Sequence, residues 1–243
     1  MPATYFIGLL IFVVVIPSNA WVYQCKAYPT TKKCDHFTFS QLWPPTFCKI
    51  EKCSIPTGVN TWTIHGLWPD APNYYLSFCY PKQVFDPNSI TDITDKLQLV
   101  WPSLKYNEEN MYFWQNEWCK HGSCALNCTT ETDSERNYFN KTVDLNKKFS
   151  IDKALSENGI VPGKSYNLTT ITDALHDAFN ATSIVCCSVV GGQNYLHEIH
   201  LCMTTDFTLK DCDVSMTGCK KYEPISYPSF KSSFISELSL ELP

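Results

Sequence analysis

The stretch WTIHGLWPD, residues 62–70, carries the most information about the fold. Its β-branched and aromatic residues predict a strand, and Gly66 and Pro69 predict that the chain turns soon after His65. His65 is therefore expected near the end of that strand. A single histidine between two tryptophans is most often a hydrogen-bonded core residue, so a functional role for His65 needs support from elsewhere in the chain.

A second stretch, FWQNEWCKHGSC at residues 113–124, has helical spacing. Its two tryptophans are one turn apart, and Gly122 predicts the end of the helix. Glu117, Lys120 and His121 then project from one helix face, because residues three and four apart are neighbours on a helix. A solvated ion-pair face is the alternative interpretation, and the flanking tryptophans disfavour it.

The composition indicates a folded protein of mixed structure. The chain has 243 residues, of which 18% are charged and 14% aromatic, and this excludes a disordered chain. A net charge of −5 argues against a protein that coats nucleic acid through bulk electrostatics. Helical patterns over residues 143–155 and 168–179, strand patterns over 184–201 and the lack of a linker predict one α+β domain over residues 21–243.

The first twenty residues predict a secretory signal peptide. An apolar run over residues 5–16 precedes small residues that suit cleavage before Trp21, so residues 1–20 are assigned to the signal. A membrane anchor is the alternative, but a spanning helix needs about 20 apolar residues and this run is shorter. We therefore expect a secreted, extracellular protein with no membrane partner.

The cysteines and the glycosylation sequons agree with secretion. All 13 cysteines follow the cleavage point, as expected for a disulfide framework, and their odd number leaves at least one free or bonded outside the chain. No pair of CxxC motifs is present, so no metal site is expected. Asn-x-Ser/Thr sequons predict a glycoprotein, with attachment at Asn127, Asn140, Asn167 and Asn180.

Two histidines, a lysine and a carboxylate are sufficient to cleave RNA without a metal or a cofactor. The RNA supplies its own nucleophile, the 2′-hydroxyl. One histidine removes the proton of that hydroxyl, and the other protonates the departing 5′-oxygen. A lysine stabilises negative charge on the phosphate, the carboxylate orients an imidazole, and aromatic side chains stack on bases, each worth about 1–3 kcal/mol.

The two stretches resemble the active-site segments of the T2-type ribonucleases. These are secreted, metal-independent RNA endonucleases of the α+β class. The resemblance extends over nearly the whole mature chain, since residues 39–48, 158–163 and 196–202 are similar to other segments of the family. It implies an antiparallel sheet with packed helices in a single disulfide-stapled domain.

The resemblance also implies roles for individual residues. His65 and His121 are the catalytic acid–base pair, with Glu117 and Lys120 stabilising the transition state. The usual family assignment makes His121 the base and His65 the acid, although the sequence alone does not distinguish them. The implied substrate contacts are Trp68, Asp70, Phe113 and Asn116, and the remaining histidines are expected to be structural or superficial: His36, His176, His197 and His200.

Two positions depart from the family pattern. Many members have a phosphate-binding histidine where this chain has Asn116, which donates a hydrogen bond but carries no charge, so reduced activity or a shifted pH profile is expected. Leu42 stands where the family has a glutamine, which puts that base contact in doubt.

The resemblance implies a set of disulfides as well. Cys219 is expected to pair with either Cys186 or Cys187, and the other implied pairs are Cys48–Cys53, Cys79–Cys124 and Cys202–Cys212. By elimination Cys25–Cys34 and Cys119–Cys128 are the remaining candidates, and one of the two adjacent cysteines stays unpaired.

The sequence therefore predicts a secreted, monomeric endoribonuclease that cleaves single-stranded RNA through a 2′,3′-cyclic phosphate. The alternative is a catalytically weak, ribonuclease-like glycoprotein with a binding or storage role. Two biological roles stay open, a pistil ribonuclease of self-incompatibility and an S-like ribonuclease of phosphate recycling or defence.

Overall fold

The structure is a computed structural model that describes residues 23–25, 33–72, 74–79, 84–213, 218–220 and 222–230. The predicted signal peptide and its cleavage point lie outside these residues. Within them, no helix combines the length and the apolar character needed to cross a bilayer.

The described elements confirm the predicted α+β class. The strands are β1 (Tyr23–Gln24), β2 (His36–Leu42), β3 (Thr63–Ala71), β4 (Tyr74–Tyr75), β5 (Val84–Phe85), β6 (Lys164–Tyr166), β7 (Ile184–Val190), β8 (Gln193–Thr204), β9 (Leu209–Lys210) and β10 (Ile225–Tyr227). The helices are α1 (Pro44–Ile50), α2 (Thr94–Val100), α3 (Asn110–Glu117), α4 (Ser123–Ala125), α5 (Glu135–Lys148), α6 (Ile151–Glu157) and α7 (Leu168–Phe179). Two 3₁₀ segments, Pro87–Ile93 and Thr130–Thr132, and a π-helical turn, Trp118–Gly122, complete the set.

One sheet organises the domain, in the order β4-β3-β2-β8-β10-β6. The strand β7 pairs with the other edge of β8, and the described pairings are antiparallel except for β8 with β10. The central strands place alternate residues on opposite faces. Phe37 and Phe39 of β2 lie in the main core with residues of α5, whereas Thr38 and Ser40 point to the opposite, more polar face.

A β-bulge decides which face His65 occupies. Ser40 pairs with Gly66 and Gln41 pairs with Ile64, so His65 has no partner in β2. Strict alternation would put His65 on the core face with Leu67. The extra residue instead moves His65 to the polar face, where its ring meets that of Trp68, with 5.1 Å between the centroids.

Side chains from helical segments satisfy the outer edge of β3. Trp101 Nε1 donates a hydrogen bond to the His65 carbonyl over 2.8 Å, and the Tyr138 hydroxyl donates to the Leu67 carbonyl over 2.9 Å. Both donors are fully buried. A buried carbonyl without a hydrogen-bond partner reduces the stability of the fold. These two bonds therefore allow helices to cover the outer edge of β3, which otherwise has only the short strand β4 beside it.

Two expectations about element ends were wrong. The strand continues through Gly66 and Pro69 to Ala71. Pro69 lies opposite Phe37 of β2, and its nitrogen, like the Leu67 carbonyl two residues earlier, faces the outer edge, where a missing N–H is tolerated. The helix also does not end at Gly122. That glycine belongs to the π-helical turn and packs so tightly on the Trp118 ring that a Cβ would collide with it.

Six disulfides staple the fold. The implied pairs are present, with Cys219 bonded to Cys187: Cys48–Cys53, Cys79–Cys124, Cys187–Cys219 and Cys202–Cys212. The pairs inferred by elimination were wrong. Cys25 bonds Cys119 and Cys34 bonds Cys128, so both cross-links join the N-terminal segment to the α3–α4 region. Cys186 remains a free thiol.

The Tyr138 hydroxyl provides a test of the β3 edge. Tyr138→Phe leaves the Leu67 carbonyl buried without its donor, so we expect the free energy of unfolding to fall by about 1–3 kcal/mol in denaturant titrations of the oxidised protein. Tyr112→Phe removes the same hydroxyl from an exposed position on α3 and serves as the matched control. Equal stability of the two variants would refute the edge interaction.

Candidate active site

The structure brings the two sequence stretches together around Trp68. Its indole ring lies 5.1 Å from the His65 ring and 5.5 Å from the His121 ring, measured between centroids. Trp68 Nε1 also donates a hydrogen bond to Glu117 Oε2 over 3.4 Å. A tryptophan from β3 thus lies against two histidines, one from β3 and one from the π-helical turn.

Gly66 makes this approach possible. A Cβ at that position would collide with both the Glu117 carboxylate and the Trp68 indole. Residue 66 therefore has to be glycine if Glu117, at the end of α3, is to lie against β3.

The helical side of the site is anchored by buried indoles and by disulfides. Trp114 Nε1 donates to the Trp101 carbonyl over 2.7 Å, and Trp118 Nε1 donates to the Val84 carbonyl over 2.9 Å. Cys119, which elimination had paired with Cys128, is bonded to Cys25. With these anchors, Glu117 at the end of α3 is buried while Lys120 is exposed in the next turn.

His65 has a carboxylate partner that the sequence did not reveal. Its Nδ1 forms an ion pair with Glu198 Oε1 of β8 over 3.1 Å. Burial lowers the pKa of His65, but the negative charge of Glu198, with a smaller contribution from Glu117, outweighs burial and raises that pKa to about 9. At neutral pH His65 is therefore an imidazolium.

His121 has the opposite electrostatic environment. Burial, followed by the positive charges of Lys120 and His65, holds the pKa of His121 well below its usual value. Its Nδ1 is buried and has no hydrogen-bond partner among the described residues. His121 is therefore neutral at neutral pH, so the two histidines beside Trp68 carry different protonation states.

Glu117 is also perturbed. Burial raises the pKa of its carboxyl to about 7, although the positive charge of His65, the Trp68 hydrogen bond and Lys120 act in the opposite direction. Glu117 thus exchanges a proton close to neutral pH, whereas Glu198, facing His65 and His200, has a pKa well below its usual value despite its burial.

Two of the four predicted substrate contacts, Phe113 and Asp70, line clefts beside this centre. Phe113 lines a cleft of about 300 Å³ together with His65 and Glu198. Asp70 lines a second cleft of about 510 Å³ with Tyr74 and Tyr75. Asp70 follows Trp68 by two positions on the same face of β3, and its carboxylate accepts a hydrogen bond from Thr38 Oγ1 over 3.3 Å.

The other predicted positions lie on the surface or outside the centre. Asn116 is exposed beside Glu117, and three of the sequon asparagines are exposed: Asn127, Asn167 and Asn180. Asn140 is half-buried and its amide donates to Asp144. Among the remaining histidines, His200 has its ring 5.3 Å from that of Trp68.

Comparison with known protein families assigns the fold and these motifs to one family. The family model of the ribonuclease T2 family matches residues 34–212. The chain belongs to the ribonuclease T2 family.

Relatives of this T2 family member occur in animals and plants. The chain is 33% identical to ribonuclease Oy of Magallana gigas over 81% of this chain and 97% of that protein. It is 31% identical to ribonuclease 1 of Arabidopsis thaliana over 91% of this chain and 96% of the relative. The crystal structure of RNase NT in complex with 5′-AMP superposes with a TM-score of 0.73 at 28% identity, covering 82% of this chain and all (100%) of that one.

Histidine titration tests the electrostatics of this T2 family site. We expect the His65 ring to lose its proton only as the pH rises through about 9, and the His121 ring to gain one only well below pH 6.5. The measurement is ¹H–¹³C NMR of the imidazole Cε1–H signals, assigned with His65→Ala and His121→Ala. The reverse order of the two titrations would contradict the assignment.

Proposed function

We propose that this T2-type endoribonuclease cleaves single-stranded RNA by attack of the 2′-hydroxyl on the adjacent phosphorus. The P–O5′ bond breaks as the O2′–P bond forms, and the products are a 2′,3′-cyclic phosphate and a free 5′-hydroxyl. The observation that carries the proposal is that the rings of His65 and His121 both lie against Trp68, in surroundings that raise the pKa of His65 and lower that of His121.

The protonation states assign the two roles. Neutral His121 is the base that takes the 2′-hydroxyl proton, because its imidazole has a free lone pair at neutral pH. Protonated His65 is the acid that gives its proton to the departing 5′-oxygen. In the second step the roles reverse, as water attacks the cyclic phosphate, which opens to a 3′-phosphate. This agrees with the usual family assignment, which the sequence alone left undecided.

Lys120 and Glu117 support the charged transition state. Lys120 is exposed in the same turn as His121 and supplies a positive charge for the phosphoryl oxygens. Glu117 has a pKa of about 7, so its protonated form is available to donate a hydrogen bond to a phosphoryl oxygen. Asn116, exposed next to Glu117, offers only a neutral amide to an approaching phosphate, so we expect weaker phosphate binding than a histidine would give.

The two clefts fit the bases on either side of the scissile phosphate. The Phe113 cleft has an apolar lining suited to stacking. The Asp70 cleft adds two tyrosines and a carboxylate that accepts hydrogen bonds from a base edge. The complex of the similar RNase NT with 5′-AMP is in keeping with nucleotide-binding clefts in this fold.

A catalytic role is favoured over a binding or storage role because the reacting groups are complete. Both histidines, the lysine and the carboxylate converge, and their pKa values are driven apart as acid–base catalysis requires. A monomer suffices for this reaction, since the described chain supplies each proposed reacting group.

Removing either histidine tests the mechanism. We expect His65→Ala and His121→Ala each to lower kcat/KM by about 10²–10⁴-fold in cleavage of a single-stranded oligoribonucleotide with excess chelator. The cyclic phosphate is detected by mass spectrometry. His176→Ala, which changes an exposed histidine of α7, is the control and should cleave at the parent rate. Full activity of His65→Ala, or cleavage of the 2′-deoxy substrate, would refute the mechanism.

We also propose that the protein is secreted as a glycoprotein. Expression of the full chain in eukaryotic cells should release a protein that begins at Trp21, as N-terminal sequencing will show. Removal of N-glycans should lower its mass through the exposed sites Asn127, Asn167 and Asn180, with less occupancy at half-buried Asn140. An intracellular product that retains residues 1–20 would contradict this.

The tissue in which the transcript accumulates separates the two biological roles. Transcript in the style supports the self-incompatibility role, and transcript in starved vegetative tissue supports the role in phosphate recycling or defence.

A further inference from the structure

The carboxylate of Glu198 is fully engaged, and two of its partners lie outside the proposed reacting set. Oε1 lies 3.1 Å from His65 Nδ1. Oε2 accepts a hydrogen bond from Ser40 Oγ over 2.9 Å and lies 2.9 Å from His200 Nε2. Both oxygens are thereby held, so the plane of the carboxylate is fixed with one oxygen directed at His65.

The position of Glu198 in the sheet is as constrained as its side chain. Glu198 pairs with Leu42 of β2 on one side and with Cys186 of β7 on the other. His200 follows two residues later on the same face, and Cys186 Sγ lies 3.7 Å from its Nε2. Because β8 is paired on both edges at this point, the backbone of Glu198 is held in place. Its carboxylate is therefore suited to fixing the orientation of another group.

We propose that Glu198 is the positioning residue of the catalytic acid: it holds Nδ1 of His65, stabilises the imidazolium form and directs the opposite nitrogen, Nε2, at the departing 5′-oxygen. Ser40 and His200 in turn hold Glu198. This inference rests on the proposed function, because His65 is taken as the acid. It adds β8 to a site that the two sequence stretches alone do not complete.

Other charged groups face His65 and do not replace Glu198. They come from β8, from the α3 region and from the rim of the Phe113 cleft: His197, His200, Glu117, Lys120, His121, Glu51, Lys105 and Glu108. Glu117 is the other acidic group that acts on His65, but Lys120 opposes it. Glu198 is also the acidic group that forms an ion pair with the His65 ring among the described residues.

A metal site is not an alternative use of this cluster. In the part of the chain that the structure describes, no three histidine, cysteine, aspartate or glutamate side chains are placed to hold a metal ion. The remaining alternative is a purely structural ion pair between β8 and β3. That alternative and the positioning role predict different pH profiles.

Glu198→Gln separates the two, because glutamine keeps the size of the side chain and removes its charge. We expect the alkaline limb of the kcat/KM profile to move to lower pH by more than one unit, since His65 then loses its proton earlier. At pH 9 kcat/KM should fall more than about fivefold, and at pH 5, where His65 is protonated in both proteins, less than about threefold. An equal loss at both pH values, or no shift of the limb, would overturn the proposal.

Two further variants serve as controls for the Glu198→Gln test. Glu198→Asp retains the charge on a shorter side chain, so it should restore the alkaline limb even where kcat remains lower. Glu157→Gln makes the same chemical change on the exposed face of α6 and should leave the profile unchanged. Thermal unfolding of each variant shows whether the fold is retained, and a destabilised Glu198→Gln protein is measured at a temperature at which it is folded.

The NMR titration of His65 makes the inference independent of activity. In Glu198→Gln the apparent pKa of His65 should fall by more than one unit, whether or not the parent protein cleaves RNA. If the parent protein is inactive but this fall occurs, the proposed function fails while the interaction of Glu198 with His65 stands. If the parent is active and His65 titrates alike in both proteins, the positioning role fails and the proposed function stands.

Discussion

The active site depends on one irregularity of the backbone, the bulge that leaves His65 unpaired opposite Ser40 and Gln41. A regular strand would turn the imidazole into the hydrophobic core, where it would meet neither Trp68 nor Glu198. The bulge in turn depends on the outer edge of β3, because Trp101 binds the carbonyl of the bulged residue itself. The buried Trp101 indole thus fixes the backbone of His65, whose side chain is proposed to act on the substrate.

The sequence predicted the part of the site that lies in two short segments. The spacing within each segment predicted the placement of four residues, because strand and helix periodicities are local properties of the sequence. These residues are His65, Glu117, Lys120 and His121. Glu198 could not be found in this way. It is 158 positions from Ser40, and which residue of β8 faces His65 depends on the register of three strands and on two bulges. The contact of His200 with Glu198 depends on the same tertiary features.

Element ends were the other failure, and their causes are tertiary. Gly66 and Pro69 favour a turn when the local sequence alone is considered. In the fold, Gly66 is required by the close approach of Glu117, and Pro69 lies where no backbone N–H is needed for pairing with β2. Gly122 is a helix stop in isolation, yet it allows the Trp118 ring to pack against a π-helical turn. The negative total charge of −5 was similarly uninformative about the site, because opposite pKa shifts arise from individual neighbours.

The disulfides have a consequence for the integrity of the polypeptide. Three of them, Cys25–Cys119, Cys34–Cys128 and Cys79–Cys124, bridge the segment that carries His65 and the region that follows α3. The exposed loop around Asn107 lies between these two parts of the chain. A protease that cut this loop would leave two fragments still joined by three covalent bonds, so both histidines would remain in place until a reductant separated them. The protein can thus be cut at this loop without coming apart.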